Sequence, residues 1–164
     1  MADLPTFTRR RLLVLAGAAG AAALLPGLAA CGSSVGGGGS GGAKAVKVGL
    51  VVPRSGVYAV VGTDLQRGWE LWLEGHGGKF GDYAVTTVVA DEGETPQTGV
   101  PAVQKVLQSD GVDVVVGLVN SATALGVRDA IAESKKILIV ANAGAGDITG
   151  KARSPYIWRS SFTN

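Results

Sequence analysis

Apolar residues fall into four short runs along the chain, separated by longer stretches of mixed polarity. The runs are Val46–Val52, Tyr83–Asp91, Val112–Gly117 and Ile137–Ala141, and they are rich in the β-branched residues that favour strands. Strands that are apolar almost throughout are typical of a parallel sheet, whose two faces are both covered. The pattern therefore predicts four buried strands, and a fifth strand is expected to begin within Tyr156–Ser160.

Between these runs, apolar residues recur at the spacing of amphipathic helices. The predicted apolar faces are Leu65, Trp69, Trp72 and Leu73 in a helix over 63–76, Val100, Val103, Val106 and Leu107 in a second helix, and Val127, Ala130 and Ile131 in a third. Thr95 precedes Pro96, which places a cap residue before a proline at the first helical position. The third helix is expected to be capped by Asn120 or by Ser121.

Alternation of strands and helices predicts an α/β fold with a doubly wound parallel sheet. Its crossover connections are expected to be right-handed. Ligands of such sheets bind beyond the carboxyl ends of the strands. Four predicted loops lie there, at residues 53–62, 91–95, 118–121 and 142–146. Any functional site is therefore expected among these loops.

Ser121 is the most informative residue of the four loops, because it follows a strand and opens a helix. The exposed N–H groups of a helix start favour a bound anion, although the serine could equally serve only as a cap. The loop 142–146 contains small residues that would let a ligand approach the backbone, or would form a plain turn. Tyr58 could cover a ligand or shield the sheet edge.

The other polar residues do not combine into a catalytic set. Asp91, Glu92 and Glu94 suggest acid–base chemistry but are more simply interpreted as solvated acids near a helix N-terminus. The stretch Gly144–Lys151 departs from a phosphate-binding loop at two positions. His76 has no serine, cysteine or aspartate partner at a recognisable spacing. We therefore predict no catalytic residues, no metal site and no cofactor.

The N-terminal 31 residues have a different composition from the rest. Arg9, Arg10 and Arg11 precede the apolar stretch Leu12–Ala30, which ends at Cys31, the only cysteine. A basic segment, an apolar segment and small residues before the cut site describe an export signal. Glycines and Pro26 interrupt the apolar stretch, which makes a permanent membrane span the less favoured alternative.

Two motifs refine this prediction. "TRRRLLV" resembles the twin-arginine export motif, and "LAAC" resembles the bacterial lipobox. The resemblance implies that residues 1–30 form a twin-arginine-like lipoprotein signal peptide and that Cys31 is lipidated. Stable anchoring by acyl chains requires more than one chain, which a diacylglyceryl group supplies. Residues 31–44 would then form a flexible Gly/Ser tether on the outer face of a bacterial membrane, and residues 45–164 the folded domain.

Net charge argues against a nucleic-acid partner. The chain has 15 basic and 13 acidic residues, but Arg9, Arg10, Arg11 and Asp3 all lie in the predicted signal peptide. The remaining chain therefore has equal numbers of positive and negative side chains. No basic stripe of the kind that binds nucleic acid is present in the sequence.

Four segments resemble the beginning of type I periplasmic binding proteins, in the leucine/isoleucine/valine-binding branch that serves ABC importers. They are "VKVGLVVPRSGVYAVVG", "GVDVVVGLVNSATALGVRD", "ILIVANAGAGDITG" and "SPYIWRSSFTN". Such proteins have two α/β lobes that close on a ligand. The resemblance implies that residues 45–164 are an incomplete first lobe, and that the chain is an N-terminal fragment of a lipoprotein.

The resemblance also implies a ligand and its contacts. In the family, a serine after the third strand grips the ligand carboxylate, and Ser121 matches that position. An aromatic residue of the first loop also contacts ligand; Val61 aligns with it and Tyr58 is displaced. The loop beginning at Asn142 is similar to that of relatives that take amides or aromatic acids. The expected ligand contacts are Tyr58, Asn120, Ser121, Asn142, Ala143 and Ala145.

The function implied is delivery of an amino acid, amide or aromatic acid to the permease subunits of an ABC importer. Two alternatives remain open at this point. The same fold is also used by receptors that sense a solute and signal to a membrane partner. An exported α/β enzyme is the third possibility, disfavoured because the catalytic set is missing.

Overall fold

A six-stranded sheet organises the computed structural model, which describes residues 44–164. The predicted signal peptide, Cys31 and nearly all of the predicted tether lie outside the described residues. The elements in chain order are β1 (Ala45–Val52), α1 (Ala59–Gly75), β2 (Lys79–Phe80), β3 (Tyr83–Asp91), α2 (Pro96–Gln108), β4 (Val114–Gly117), α3 (Ser121–Gly126), α4 (Arg128–Ser134), β5 (Ile137–Val140), a 3₁₀ turn (Gly146–Ile148) and β6 (Ile157–Arg159).

The strand order in the sheet is β2-β3-β1-β4-β5-β6. The pairs β3–β1, β1–β4, β4–β5 and β5–β6 are all parallel, which confirms the predicted parallel α/β sheet. The strand order reverses at β1, since the chain moves outward to β3 on one side and to β4 on the other. Ligands of open α/β sheets bind at such a switch point.

One strand was not predicted. The segment 75–82, expected only to break the first helix, contains β2, which pairs antiparallel with β3 at the edge of the sheet. Both residues of β2 are exposed, so no apolar pattern marks the strand. Gly77, Gly78 and Gly81 have positive φ angles and make the tight connections on either side of it.

Helices cover both faces of the sheet, as a doubly wound fold requires. On one face, Val51 of β1 belongs to the buried cluster that includes Val103 and Val106 of α2. On the opposite face, Leu50 and Val52 lie beside α1. This alternation follows from the two-residue period of a strand.

The main core lies between the sheet and helices α2 to α4. Val103, Val106 and Ile131 are fully buried there against Leu138 and Val140 of β5. The apolar faces predicted for the second and third helices therefore include core residues. On the α1 face, the indole Nε1 of Trp69 donates a hydrogen bond to Thr87 Oγ1 at 2.9 Å.

Two predicted helix boundaries were wrong. α1 begins at Ala59 rather than near residue 63, because Gly62 packs so closely on the Pro53 carbonyl that a Cβ would lie 1.8 Å from its oxygen. Tyr58 is therefore the N-cap position of α1 and not the middle of a long loop. The third predicted helix is divided into α3 and α4 at Val127, whose ψ angle is −3°. No helix within residues 44–164 has the length and apolar character needed to cross a bilayer.

Candidate functional site

Four loops meet at the carboxyl edge of the sheet, each following a parallel strand. We call them the Pro53 loop (53–58), the acidic loop (92–95), the Asn120 loop (118–120) and the Asn142 loop (141–145). The sheet topology places them together because β3, β1, β4 and β5 are parallel neighbours. This is the edge at which the sequence predicts a site.

Asp91 ends β3 and holds the Pro53 loop. Its Oδ1 accepts hydrogen bonds from the backbone N–H groups of Arg54 at 2.7 Å and Gly93 at 2.8 Å. Its Oδ2 accepts from the Ser55 hydroxyl at 2.9 Å. Burial acts to raise the pKa of Asp91, but these hydrogen bonds outweigh it and lower the pKa below its ordinary value.

Glu92 is fully buried and holds the Asn120 loop. Its Oε2 accepts a hydrogen bond from the N–H of Val119 at 2.7 Å, and its Oε1 accepts from the N–H of Asn120 at 2.9 Å. Burial raises the pKa of Glu92 to about 7, although the two hydrogen bonds act to lower it. The interpretation of this residue as a solvated acid was wrong, because the next strand and its loop cover it.

Glu94 joins the two loops that Asp91 and Glu92 hold separately. Its carboxylate accepts a hydrogen bond from the backbone N–H of Val57 in the Pro53 loop. Its carbonyl oxygen accepts from the Asn120 side-chain Nδ2 at 2.8 Å. The acidic residues therefore fix loops around the site and form no acid–base pair in this arrangement.

Asn120, not Ser121, caps α3. Its Oδ1 accepts hydrogen bonds from the N–H groups of Ala122 at 2.8 Å and Thr123 at 3.1 Å. This is the geometry of an N-cap asparagine. The choice between Asn120 and Ser121 is thereby decided, and the Ser121 hydroxyl is available for another role.

The Ser121 hydroxyl connects its helix to the Asn142 loop. Its Oγ accepts a hydrogen bond from the N–H of Ala145 at 3.2 Å. The carbonyl of Ala145 in turn accepts from Arg159 Nη1 at 2.9 Å, which ties the loop to β6. A hydroxyl carries one donor and two acceptor positions, so Ser121 Oγ retains a proton that it can donate to a ligand.

The turn before the Asn120 loop has an unusual backbone. Gly117 has a φ of +129° and Leu118 a φ of +65°. Leu118 is fully buried; its N–H donates to Val51 O at 2.9 Å and its carbonyl accepts from Ala143 N at 3.0 Å. One residue thereby joins β1, the Asn120 loop and the Asn142 loop.

A cavity of about 470 Å³ opens between the Pro53, Asn120 and Asn142 loops and the segment that follows β6. Its walls carry a phenol, a phenyl ring, amide groups and a hydroxyl, and none of its lining side chains is charged. The lining residues are Tyr58, Val61, Val119, Asn120, Ser121, Ala122, Asn142, Gly144, Phe162 and Asn164.

The structure brings four of the six predicted contact residues to this cavity: Tyr58, Asn120, Ser121 and Asn142. The other two, Ala143 and Ala145, do not line it. Ala143 is buried in the core cluster, and the N–H of Ala145 is bonded to Ser121. Val61 also lines the cavity.

Several residues of the site escaped the sequence analysis. Val119 and Phe162 line the cavity but carry no polar pattern that would single them out. Phe162 follows β6, a strand of only three residues. Its ring is 59% exposed, and a large exposed aromatic beside a cavity is the structural signal that the sequence lacks.

A second cavity, of about 590 Å³, lies on the α1 face of the sheet and is lined mainly by apolar residues such as Leu50, Trp69 and Val116. It lacks the converging amides and hydroxyl of the loop cavity, so we take the loop cavity as the candidate site. Within residues 44–164, no three His, Cys, Asp or Glu side chains are grouped so that they could hold a metal ion.

Comparison with known proteins shows which family this domain belongs to. A family model described as "Periplasmic binding protein" matches residues 45–164, which is essentially the whole described domain. The chain belongs to the periplasmic binding protein family. Its branch is the type I, leucine/isoleucine/valine-binding one, and the six-stranded sheet corresponds to part of one lobe of such a protein.

The relatives are binding proteins rather than enzymes. Leu/Ile/Val-binding protein homolog 6 of Brucella suis is 31% identical over 122 residues, covering 74% of this chain and 31% of the relative. A solute-binding protein of an R. palustris ABC transporter, solved with benzoate, is 37% identical with a TM-score of 0.69, covering 73% of this chain and 33% of that one.

A further R. palustris solute-binding protein, solved with 4-hydroxybenzoate, is 34% identical with a TM-score of 0.67, covering 73% of this chain and 32% of that one. The chain thus spans about a third of the length of these periplasmic binding proteins.

Proposed function

We propose that this periplasmic binding protein binds a small organic acid outside the cytoplasm and delivers it to the permease subunits of an ABC importer. The observation that carries the proposal is that the Pro53, Asn120 and Asn142 loops and the segment after β6 meet at a cavity without charged side chains, which offers a hydroxyl and amide groups. Relatives named for leucine, isoleucine and valine, and others solved with benzoate or 4-hydroxybenzoate, support the ligand class.

The ligand group that this lobe would bind is a carboxylate. Ser121 has a proton to donate, and Asn142 adds a side-chain amide at the same cavity. Hydrogen bonds from neutral donors to a charged group contribute about 1.5–3 kcal/mol each. Tyr58 and Phe162 offer ring surfaces against which an apolar or aromatic body can pack.

Calorimetric titration of the full-length protein with benzoate, 4-hydroxybenzoate and leucine tests the proposal. Benzamide serves as the matched control for benzoate, since it replaces the carboxylate by a neutral amide of the same shape. We expect at least one carboxylate to bind and benzamide to bind more weakly than benzoate. Failure of all three acids to bind, or tighter binding of benzamide, would overturn the carboxylate proposal.

Replacing Ser121 by alanine is expected to weaken binding of the carboxylate by about 1.5–3 kcal/mol. The loss arises because the variant removes the hydroxyl that is proposed to donate a hydrogen bond to the carboxylate. Folding stability should fall by no more than about 1 kcal/mol, since only the hydrogen bond from Ala145 is lost. Calorimetry gives the affinity, and urea unfolding followed by circular dichroism gives the stability.

Two variants complete the comparison. Ser121→Thr keeps a hydroxyl and should retain most of the affinity. Asn120→Ala removes the cap of α3 and should cost about 0.5–2 kcal/mol of stability. If Ser121→Ala leaves the affinity unchanged while reducing stability, the serine only holds the Asn142 loop and the proposed contact is wrong.

We propose further that the protein is exported through the twin-arginine route and is held at the membrane by lipid on Cys31. The support is the "LAAC" motif at the end of an apolar segment that follows three arginines. Acyl chains add about 0.8 kcal/mol of membrane affinity per buried CH₂ group.

Growth of the expressing bacterium with radiolabelled palmitate is expected to label the wild-type protein and not the Cys31→Ala variant. The labelled protein should fractionate with membranes. Ser33→Ala, two residues away, is the control and should be labelled normally. A soluble, unlabelled wild-type protein would exclude the lipid anchor while leaving the solute-binding proposal intact.

A further inference from the structure

Glu92 is fully buried, which is rare for a glutamate without a cationic partner. Its two carboxylate oxygens each accept one hydrogen bond, from the consecutive N–H groups of Val119 and Asn120. Ser121 follows Asn120 directly in the chain. The carboxylate therefore lies directly behind the segment that lines the cavity.

We propose that Glu92 is a positioning residue, which fixes the Asn120 loop so that Ser121 presents its hydroxyl to the ligand. The inference rests on the proposed function, because it assigns Glu92 a part in solute binding without contact with the solute. Glu92 is not one of the residues that line the cavity. Its effect on the ligand must pass through the backbone of Val119 and Asn120.

The backbone of the loop is shaped for this interaction. Leu118 has a left-handed backbone conformation, after which the N–H groups of Val119 and Asn120 converge on one anion. Successive N–H groups arranged in this way form an anion-binding concavity. Here the anion is the carboxylate of Glu92. It accepts both N–H groups but does not line the ligand cavity.

The two hydrogen bonds favour the ionised carboxylate, against the effect of burial. Both oxygens face N–H donors, so a proton on either oxygen competes with one of the two hydrogen bonds. A glutamine side chain has a single oxygen acceptor, and its NH₂ group would face the second N–H donor. Glu92→Gln is therefore expected to release one end of the loop while keeping the volume of the side chain.

The charged surroundings of Glu92 come mainly from its own segment. Asp91, the preceding residue, adds a repulsive negative charge, and Asp91 is itself hydrogen-bonded to Arg54 and Gly93. From α2, the Thr98 hydroxyl donates to the Glu92 carbonyl at 3.0 Å. From the Asn120 loop come only the two N–H groups. No ion pair within residues 44–164 includes Glu92.

A pH dependence follows from the burial of Glu92. Because burial raises the pKa of Glu92 from 4.5 to about 7, the folded protein binds a proton that the unfolded chain releases near pH 4.5. The contribution of Glu92 to global stability is therefore full below pH 4.5 and is lost as the pH rises to about 7. The Asn120 loop covers Glu92, so opening of this loop exposes the carboxyl group, which then releases its proton more readily. Protection of the loop should therefore fall over the same pH range.

Hydrogen exchange, measured by NMR at the amides of Val119 and Asn120 in the full-length protein, tests the inference. In the wild type, we expect the protection factor of at least one of the two amides to fall several-fold as the pH increases from 6 to 8. In Glu92→Gln, whose side chain does not titrate, this fall should disappear. Glu133→Gln, the same change at an exposed glutamate of α4, should behave like the wild type.

Titration with benzoate and 4-hydroxybenzoate at pH 8 completes the experiment. Glu92→Gln is expected to weaken binding about tenfold, and Glu92→Asp, which keeps the charge, to bind more tightly than Glu92→Gln. Unchanged affinity in Glu92→Gln, with or without loosened amides, would overturn the positioning role. So would wild-type protection that does not vary with pH, a measurement that needs no variant to fold.

The two proposals fail separately. A wild-type protein that binds no organic acid contradicts the proposed function, whatever the amides show. A wild-type protein that binds normally, combined with an Asn120 loop that does not respond to Glu92, contradicts only the inference made here.

Discussion

Replacing Gly117 by alanine is expected to lower the free energy of unfolding by about 3–5 kcal/mol. Gly117 has a φ of +129°, a conformation that residues with a Cβ rarely adopt. A Cβ placed there would lie 2.0 Å from the carbonyl oxygen of Val51, so that β4 would have to move away from β1. Urea unfolding followed by circular dichroism measures the loss.

Gly68→Ala is the matched control. Gly68 lies within α1, and a Cβ at this position would meet no atom within 4 Å. Alanine is favoured over glycine inside a helix by about 1 kcal/mol, so this variant should be as stable as the wild type or more stable. Equal stability of Gly117→Ala and Gly68→Ala would show that β1 and β4 are not held at the described spacing.

Replacing Leu118 by alanine should lower the free energy of unfolding by about 2–5 kcal/mol. The leucine is fully buried, and its truncation leaves a cavity beneath the junction of the Asn120 and Asn142 loops. Since the left-handed backbone of Leu118 remains in the variant, the loss reports packing rather than backbone strain. Thermal or urea unfolding gives the value.

Two leucine variants test the cause of that loss. Leu71→Ala makes the same truncation at a side chain that is 70% exposed on α1, and should change stability by less than about 0.5 kcal/mol. Leu118→Met conserves volume and should cost less than about 1.5 kcal/mol. A Leu118→Ala variant no less stable than Leu71→Ala would show that the loop junction is not packed as described.

The strands of the sheet were largely predictable because burial on both faces leaves a direct trace in the sequence. β1, β3 and β5 coincide with apolar runs such as Val46–Val52. β2 leaves no such trace, since its two residues are exposed. The start of α1 was misjudged because Gly62 belongs there for a close approach to Pro53, a contact that no local pattern reveals.

The positions of the polar residues in the sequence predicted where they lie in the fold, but not which hydrogen bonds each of them makes. Ser121, Asn120 and Asn142 follow strands, so parallel topology alone brings them to one edge. Which residue caps α3 depends on the reach and orientation of its side chain, which the local sequence does not reveal. The burial of Glu92 depends on partners 27 and 28 residues away, so a charged residue beside other acids was interpreted as solvated.

Most of the hydrogen bonds that the acidic side chains accept come from backbone N–H groups, which has a consequence for divergence among related proteins. The carboxylates of Asp91, Glu92 and Glu94 accept such bonds from the backbone N–H groups of Arg54, Val57, Val119 and Asn120. Every amino acid except proline supplies that group. The side chains of Arg54, Val57 and Val119 can therefore be exchanged while these hydrogen bonds are kept, and a change at Val119, which lines the cavity, would alter the solute preference.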